Sequence, residues 1–398
     1  MTSLLQAIAG VIQSMVLLAL GYIVMLTGLA YVGRHRVTPR HSPAVRFGVI
    51  IPAHNEEQAI GATLQNLMQL DYPQELYTIH VVADNCDDNT AALGREAGIM
   101  VHERSDPCAR GKGHALQWIV SRLGTQYDAF VILDADTVLS RDFLQVMNSR
   151  LLEGDKVIQG RDDTLNVADS WPAGLRFVAM SLYNHVRSLG SRELGLSCSL
   201  KGNGMCFASS VLVEHGWSSC SLVEDLEFHN HLLRARVRVS YAPEARAWAQ
   251  MPSNLKDSRP QNVRWETGRL NVALRQAPVL LGDGIRAASP MLILAAFEEF
   301  IPPLSVLAAV SFANLVLGAV FRWTPVLAIS AISLGALATH VVGGLIVSEA
   351  PRHAYISLLH APVYVAWKVI LYVNLLLGRR QREWVRTPRS KGAEVGRR

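Results

Sequence analysis

Two aspartates, Asp134 and Asp136, follow directly on an apolar run in "FVILDADTVLSRDFL", residues 130–144. Alternate positions on a strand point to opposite faces, so both carboxylates reach one ligand only if the strand ends and turns between them. Mg2+ and Mn2+ suit such a place, because they take oxygen ligands and often use one or two carboxylates completed by substrate phosphate. A solitary D-x-D is more often a solvated strand end or a helix cap. Here, groups of the same kind recur in chain order. "YTIHVVADNCDDNT" ends an earlier apolar run at Asp84, a carboxylate able to accept a hydrogen bond from a base ring N–H, with Asp88 and Thr90 suited to cap the next helix. "ARGKGHALQWI" sets Arg110 and Lys112 between flexible glycines at a helix start, a cationic cradle for a diphosphate.

Three further stretches carry chemistry. "KGNGMCFA" (201–208) flanks Asn203 with Gly202 and Gly204, which lets backbone approach a ligand closely. "SLVEDLEFHNHLL" (221–233) places Glu224 and Asp225 at an expected helix start, where acids commonly oppose the dipole but one can serve as general base on an acceptor hydroxyl. "QNVRWETGR" (261–269) brings Gln261, Arg264 and Trp265 within about one helical turn, a guanidinium for phosphate oxygens beside an indole for a sugar ring. No nucleophilic triad is recognisable.

The elements that must position these groups alternate. "RFGVIIPAHNEE" reads as a buried strand that breaks at Pro52 into a loop holding His54 and Glu56, and "EEQAIGATLQNLMQL" follows with helical periodicity. Strand-like runs then recur at 77–84, 99–104 and 129–133, separated by helix-like segments. The fold class is therefore α/β with a largely parallel sheet, in which ligands bind at the carboxyl ends of the strands. Each acidic motif falls at such an end.

Half of the 398 residues are hydrophobic and 18% are charged, unevenly distributed. Residues 4–33 contain no charge and exceed the roughly 20 residues that span a bilayer. Arg34, Arg36, Arg40 and Arg46 follow, which places the next part in the cytoplasm. The expected organisation is a transmembrane helix over 1–33, a cytoplasmic domain over 34–285, a membrane region over 286–378 and a basic cytoplasmic tail over 379–398. Within the membrane region, 301–320 and 324–347 are expected as firm spans. The run 354–378, with His360, Pro362 and Lys368, is expected to re-enter or lie at the interface, which keeps the arginine-rich tail in the cytoplasm. Glu298 and Glu299, before Pro302 and Pro303, read as a solvated juxtamembrane turn. The positive charge concentrates beside membrane segments, which favours lipid headgroups over nucleic acid as partner. Five cysteines without C-x-x-C spacing argue against a disulfide framework and a zinc site.

As an ordered set, P-x-H-N-E-E, D-N-C-D-D-N-T, R-G-K-G, D-A-D, V-E-D and Q-x-x-R-W, the motifs resemble those of the membrane-bound family 2 glycosyltransferases, among them cellulose, hyaluronan and poly-N-acetylglucosamine synthases. The resemblance extends from the first span to about residue 389. It implies a GT-A fold in a multi-pass protein of the inner membrane, with inverting sugar transfer from a nucleotide sugar, a UDP-sugar foremost, at the cytoplasmic face. The acceptor would be a saccharide or lipid-linked, the cofactor Mg2+ or Mn2+. By motif, the donor falls to Pro52, His54, Glu56, Asp84, Lys112, Asp134, Asp136, Gln261 and Arg264. Asp136 is also the metal ligand, Asp225 the general base, and Glu224 and Trp265 belong to the acceptor. The membrane part is smaller than in cellulose-type members, which weighs a single addition evenly against polymerisation. A nucleotidyltransferase, or a non-catalytic assembly subunit with polysaccharide-export partners, is the alternative.

Overall fold

Eight strands carry the domain: β1 (Phe47–Ala53), β2 (Tyr77–Asp84), β3 (Met100–Arg104), β4 (Ala129–Ile132), β5 (Val138–Leu139), β6 (Val157–Thr164), β7 (Met205–Ala208) and β8 (Val239–Ala249). The computed structural model describes residues 2–378, so the basic tail expected over 379–398 lies outside the described residues. The strands form one sheet in the order β3-β2-β1-β4-β7-β6-β8-β5. β3, β2, β1 and β4 run parallel, β7 pairs antiparallel with both β4 and β6, and β6 pairs parallel with β8. The first four strands coincide with the apolar runs that predicted them. Their alternation divides two cores. Val49, Ile51, Val81 and Val131 face Ile60, Leu64 and Met147, whereas Ile50, Val82, Phe130 and Ile132 face Leu116, Ile119 and Phe228. Helices thus cover both faces, as a parallel sheet requires.

β1 does not break at Pro52 as expected; it continues to Ala53. On the β4 side the register ends at Ile50↔Ile132, while on the β2 side it runs on through Pro52↔Val82 to Ala53↔Ala83. A residue without an N–H is tolerated there because β4 has already ended.

The chain between the amino-terminal helix (Thr2–Gly33) and β1 is clamped by one buried carboxamide. Asn148, on the helix Phe143–Leu152, accepts from the backbone N–H groups of Ala44 and Val45 at 3.0 and 3.1 Å and from the Tyr72 hydroxyl at 3.1 Å, and donates to the Ser42 carbonyl at 3.1 Å.

By length and composition, Ser3–Gly33, Thr324–Val347 and Arg352–Leu376 can each cross a membrane. This redistributes the expected spans. The run 354–378 forms a helical segment of spanning length. The run 301–320 instead forms a 17-residue helix, Leu304–Val320, bent by 65° from the helix Pro290–Phe300 before it. Pro302 and Pro303 account for the bend, since neither has an N–H to continue a helix. Polar side chains pin the amino-terminal helix to distant partners: Gln13 donates to the Ser311 hydroxyl at 3.1 Å and accepts from Asn314 at 3.0 Å, and the Thr27 hydroxyl meets His340 Nδ1 at 2.7 Å. Glu298 lies within the helix Pro290–Phe300, in place of the expected turn, and accepts from the Tyr22 hydroxyl at 2.5 Å.

Removing the Asn148 clamp leaves the Ala44 and Val45 N–H groups without their acceptor, while the Tyr72 hydroxyl keeps the Val45 carbonyl at 2.8 Å; a stranded buried donor such as that of Val45 costs about 1–3 kcal/mol before relaxation. Asn148→Ala is expected to lower the melting temperature in detergent by several degrees; an unchanged melt would show that the linker finds other partners.

Candidate active site

The loops at the carboxyl ends of β1, β2 and β3 are tied to one another by their own side chains. Asn55 and Asn85 adopt left-handed backbone with φ of 56° and 51°, which asparagine tolerates better than most residues. The Asn55 carboxamide accepts from Asp87 N–H at 2.9 Å, that of Asn85 from Asp106 N–H at 2.8 Å, and His54 Nδ1 meets the Asp84 carbonyl at 2.8 Å. Thr90 receives the Glu56 N–H at 2.8 Å, while Asp88 Oδ1 accepts the Thr90 N–H at 2.9 Å. Asp84 is buried, with Oδ1 taking Arg104 Nη1 at 2.5 Å and Asn85 Nδ2 at 3.0 Å. Arg104 also donates to the Ala109 carbonyl at 2.8 Å, which fixes the approach to Lys112.

Lys112 opens the helix Lys112–Leu123 and does not stand as an open cationic cradle. Its ammonium donates to Asp134 Oδ1 and to the Gly202 carbonyl, both at 2.5 Å. Nor is Gly113 there for flexibility: a Cβ would fall 2.3 Å from the Ser219 carbonyl oxygen, so the helix start packs directly on the backbone leading to Glu224. Gly202 has φ of 83°, and a Cβ on it would meet Asp225 Oδ2 at 3.3 Å. Lys112, Asp134, Gly202 and Asp225 are thereby brought together from four separate stretches of chain.

Glu224 and Asp225 begin the helix Glu224–Arg234, and Gln261, Arg264 and Trp265 lie on the helix Leu255–Arg275. Arg264 Nε and Gln261 Oε1 are buried without a hydrogen-bond partner, and the Arg176 guanidinium lies 5.1 Å from the centre of a Trp265 ring. One cavity of about 1470 Å³ is lined by every donor, acceptor and base residue picked out from the sequence, from Pro52 and His54 to Arg264 and Trp265. Among the described residues no group of three or more His, Cys, Asp or Glu side chains could hold a metal by itself. The carboxylates of Asp134 and Asp136, both lining the cavity, are hard oxygen donors that fit Mg2+ or Mn2+ in combination with phosphate oxygens.

Residues 43–268 match the family model described as glycosyltransferase-like family 2. The chain belongs to this family of glycosyltransferases. A probable glycosyltransferase of Bacillus subtilis, YdaM, is 24% identical over 239 residues, covering 58% of this chain and 56% of the relative. A poly-beta-1,6-N-acetyl-D-glucosamine synthase of Staphylococcus aureus is 27% identical over 235 residues, covering 57% and 55%. The chain spans about half the length of the curated relatives it matches. Among solved structures, a mannosyltransferase of Pyrobaculum calidifontis in complex with GDP-Man and Mn2+ superposes with a TM-score of 0.50 at 16% identity, covering 86% of this chain and 99% of that one. That likeness shows the GT-A glycosyltransferase fold.

Sequence reasoning missed two parts of this glycosyltransferase site. Asp162 on β6 is buried, lines the cavity, and accepts from Asn203 Nδ2 at 3.1 Å and Asn184 Nδ2 at 3.0 Å. Its signal was present in "VIQGRDDT", an apolar start followed by acids, the same pattern as at Asp84 and Asp134. The second is the far wall of the cavity, built by the helices near the membrane.

Burial pushes up the carboxyls of Asp162, Asp225 and Glu224. For Glu224 the adjoining Asp225 charge adds to burial and Lys112 opposes it, leaving the group at about 7. An acid raised on folding binds extra protons in the folded state between its ordinary and its raised pKa, so stability falls as pH rises through that interval, here from 4.5 to about 7. Buried histidines such as His80 and His229, whose pKa burial lowers to about 4 and about 3, act in the opposite sense, so the contribution of Glu224 is read as a difference between two proteins. The melting temperature of the wild type minus that of Glu224→Gln is expected to fall between about pH 5 and about pH 8. A thermal series with the same slope in both proteins would contradict the assignment.

Proposed function

We propose that this glycosyltransferase catalyses the inverting, divalent-metal-dependent transfer of a sugar from a nucleotide sugar, a UDP-sugar foremost, to a saccharide or lipid-linked acceptor at the cytoplasmic face of a membrane. The observation that carries this reading is one cavity that holds Asp84, Asp136 and Arg264 and continues past Asp225 to helices of spanning length. Asp84 binds the base. Arg264, with its unpaired Nε, and Gln261 face the diphosphate. Asp136 would hold Mg2+ or Mn2+, which would neutralise charge on the leaving diphosphate. Asp134 keeps Lys112 beside that diphosphate, so cationic charge is in place before the bond breaks.

Asp225 takes the proton of the acceptor hydroxyl as its oxygen attacks the anomeric carbon. The bond from that carbon to the diphosphate oxygen breaks on the opposite face, its electron pair leaves with the nucleoside diphosphate, and the configuration inverts. A carboxyl held above its usual range is better matched to this proton transfer near neutral pH. Glu224, protonated for part of the time near pH 7, donates a hydrogen bond to the acceptor, whose sugar face stacks on Trp265. The mannosyltransferase solved with GDP-Man and Mn2+ supports the donor class and metal, and the Staphylococcus relative supports a place in polysaccharide synthesis. Arg34, Arg36, Arg40 and Arg46 after the first helix support the cytoplasmic side.

Purified protein given a panel of nucleotide sugars with Mn2+ or Mg2+ should release nucleoside diphosphate. Asp136→Asn and Asp225→Asn should each slow release by about 100-fold or more. Full activity in both variants would overturn the reading, and release of pyrophosphate would point to nucleotidyl transfer instead.

A further inference from the structure

Beyond Asp225 the cavity wall changes character. The π-helix Ser181–Val186 lies across it, a helix type frequent at functional sites. Its register directs Asn184 to Asp162 and His185 to the Tyr241 hydroxyl at 2.8 Å, and leaves Tyr183 lining the cavity. Three cations gather on that one ring. Lys201 Nζ lies 3.7 Å from its centre, and the guanidinium carbons of Arg269 and Arg187 lie at 4.7 and 5.4 Å. Like charges held this close repel one another unless an anion is shared between them.

The nearby carboxylates offset that repulsion without bonding to the cations. Glu266 is taken by Lys368 at 2.6 Å and by the Tyr372 hydroxyl, and Glu298 is taken by Tyr22. The charge of Glu298 opposes that of Arg187, and Glu299 opposes Arg269 and Lys201, but among the described residues no carboxylate forms a direct ion pair with any of the three cations. Arg187 is 6% exposed, and its Nε is buried without a hydrogen-bond partner. A buried, unpaired guanidinium that lines a cavity marks a missing acceptor.

The cluster belongs to the membrane side of the site. Its helix, Arg187–Glu193, packs so closely on the amino-terminal helix that a Cβ on Gly190 would fall 2.4 Å from the Leu26 carbonyl oxygen. Past it the cavity is lined by apolar side chains, Leu304, Ala308, Leu337, Val341 and Val365, from three helices of the membrane part. The cavity also exceeds the roughly 300–1,000 Å³ of an ordinary small-ligand site, so it can hold two substrates together. A neutral saccharide needs neither the cations nor the apolar wall.

Resting on the reading of Asp225 as the base that activates an acceptor hydroxyl, we propose that the acceptor is a saccharide carried on a phosphorylated lipid, the saccharide supplying the hydroxyl at Asp225. The lipid's phosphate sits at Tyr183 among Arg187, Lys201 and Arg269, and its apolar chain follows the wall toward Leu337 and Val365. The planar guanidinium groups suit phosphate oxygens, and the lipid chain removes apolar wall from water.

The test uses the full chain in neutral detergent, with decyl phosphate, decanol and inorganic phosphate as probes in calorimetric titrations. Decyl phosphate is expected to bind at least about tenfold more tightly than either of the others, and Lys201→Gln and Arg269→Gln should each weaken it by about tenfold. Arg269→Lys should restore part of the loss, which guards against a folding defect. Equal binding of decanol, equal binding of inorganic phosphate, or binding untouched by both glutamine variants would each overturn the proposal. Nucleoside diphosphate binding with Mn2+ is titrated in parallel. Its absence from the wild type would overturn the transferase reading while leaving the phosphate site standing, and its loss in the glutamine variants with decyl phosphate binding intact would assign the cations to the donor instead.

Discussion

The site depends on the carboxamide of Asn203. Its oxygen accepts from the Asp134 N–H at 3.1 Å and from the Thr137 hydroxyl at 2.9 Å, its nitrogen donates to Asp162, and its backbone carbonyl accepts from Gln159 at 2.8 Å. One buried residue before β7 therefore fixes the turn that ends β4 and the acid on β6. Gly202 and Gly204, both at positive φ, are what allow the backbone on either side to follow. Lys112 then joins the same point, since its ammonium meets both Asp134 and the carbonyl beside Asn203. Without that carboxamide, two strand ends would carry unpaired polar groups in a buried place.

The parallel half of the sheet was legible because four runs rich in valine and isoleucine end in polar loops, a pattern that depends only on local sequence. The acids at those ends were legible for the same reason. What escaped was set by pairing across distance. β6 carries Arg161, Asp162 and Asp163 in succession, and the partners that let this triplet be buried, Asn184, Asn203 and His185, come from other elements. The glycines of R-G-K-G suggested freedom, yet at Gly113 the need is for close backbone packing, which no local pattern shows. In the membrane part, hydropathy located the apolar runs, but the paired prolines at 302 and 303 decided which of them made a full-length helix.

β6 also ties the site to the membrane part. Asp162 points into the cavity, whereas Arg161, on the alternate position, pairs with Asp163 at 2.8 Å and donates to the Ser348 carbonyl just beyond the helix Thr324–Val347 at 3.2 Å. A second tie runs from Glu266 to Lys368 and Tyr372, one residue after Trp265 on its helix. Trp171 stacked on His360 at 5.0 Å makes a third. Buried ion pairs of this kind add little net stability over apolar packing but tolerate few alternative arrangements. The end of the cavity lined by the apolar helices and the sheet that carries the acids are accordingly held in one orientation.

The hydrogen bonds of Gln13 have a consequence for biosynthesis. Its partners Ser311 and Asn314 stand 298 and 301 residues further along the chain. A chain made from its amino terminus thus places a carboxamide within its first apolar helix long before either partner exists. The glycosyltransferase sheet, built from neighbouring strands, can close in the meantime. The first helix must wait for Leu304–Val320, so the end of the cavity lined by Leu304 and Ala308 is completed only after the sheet that carries the acids.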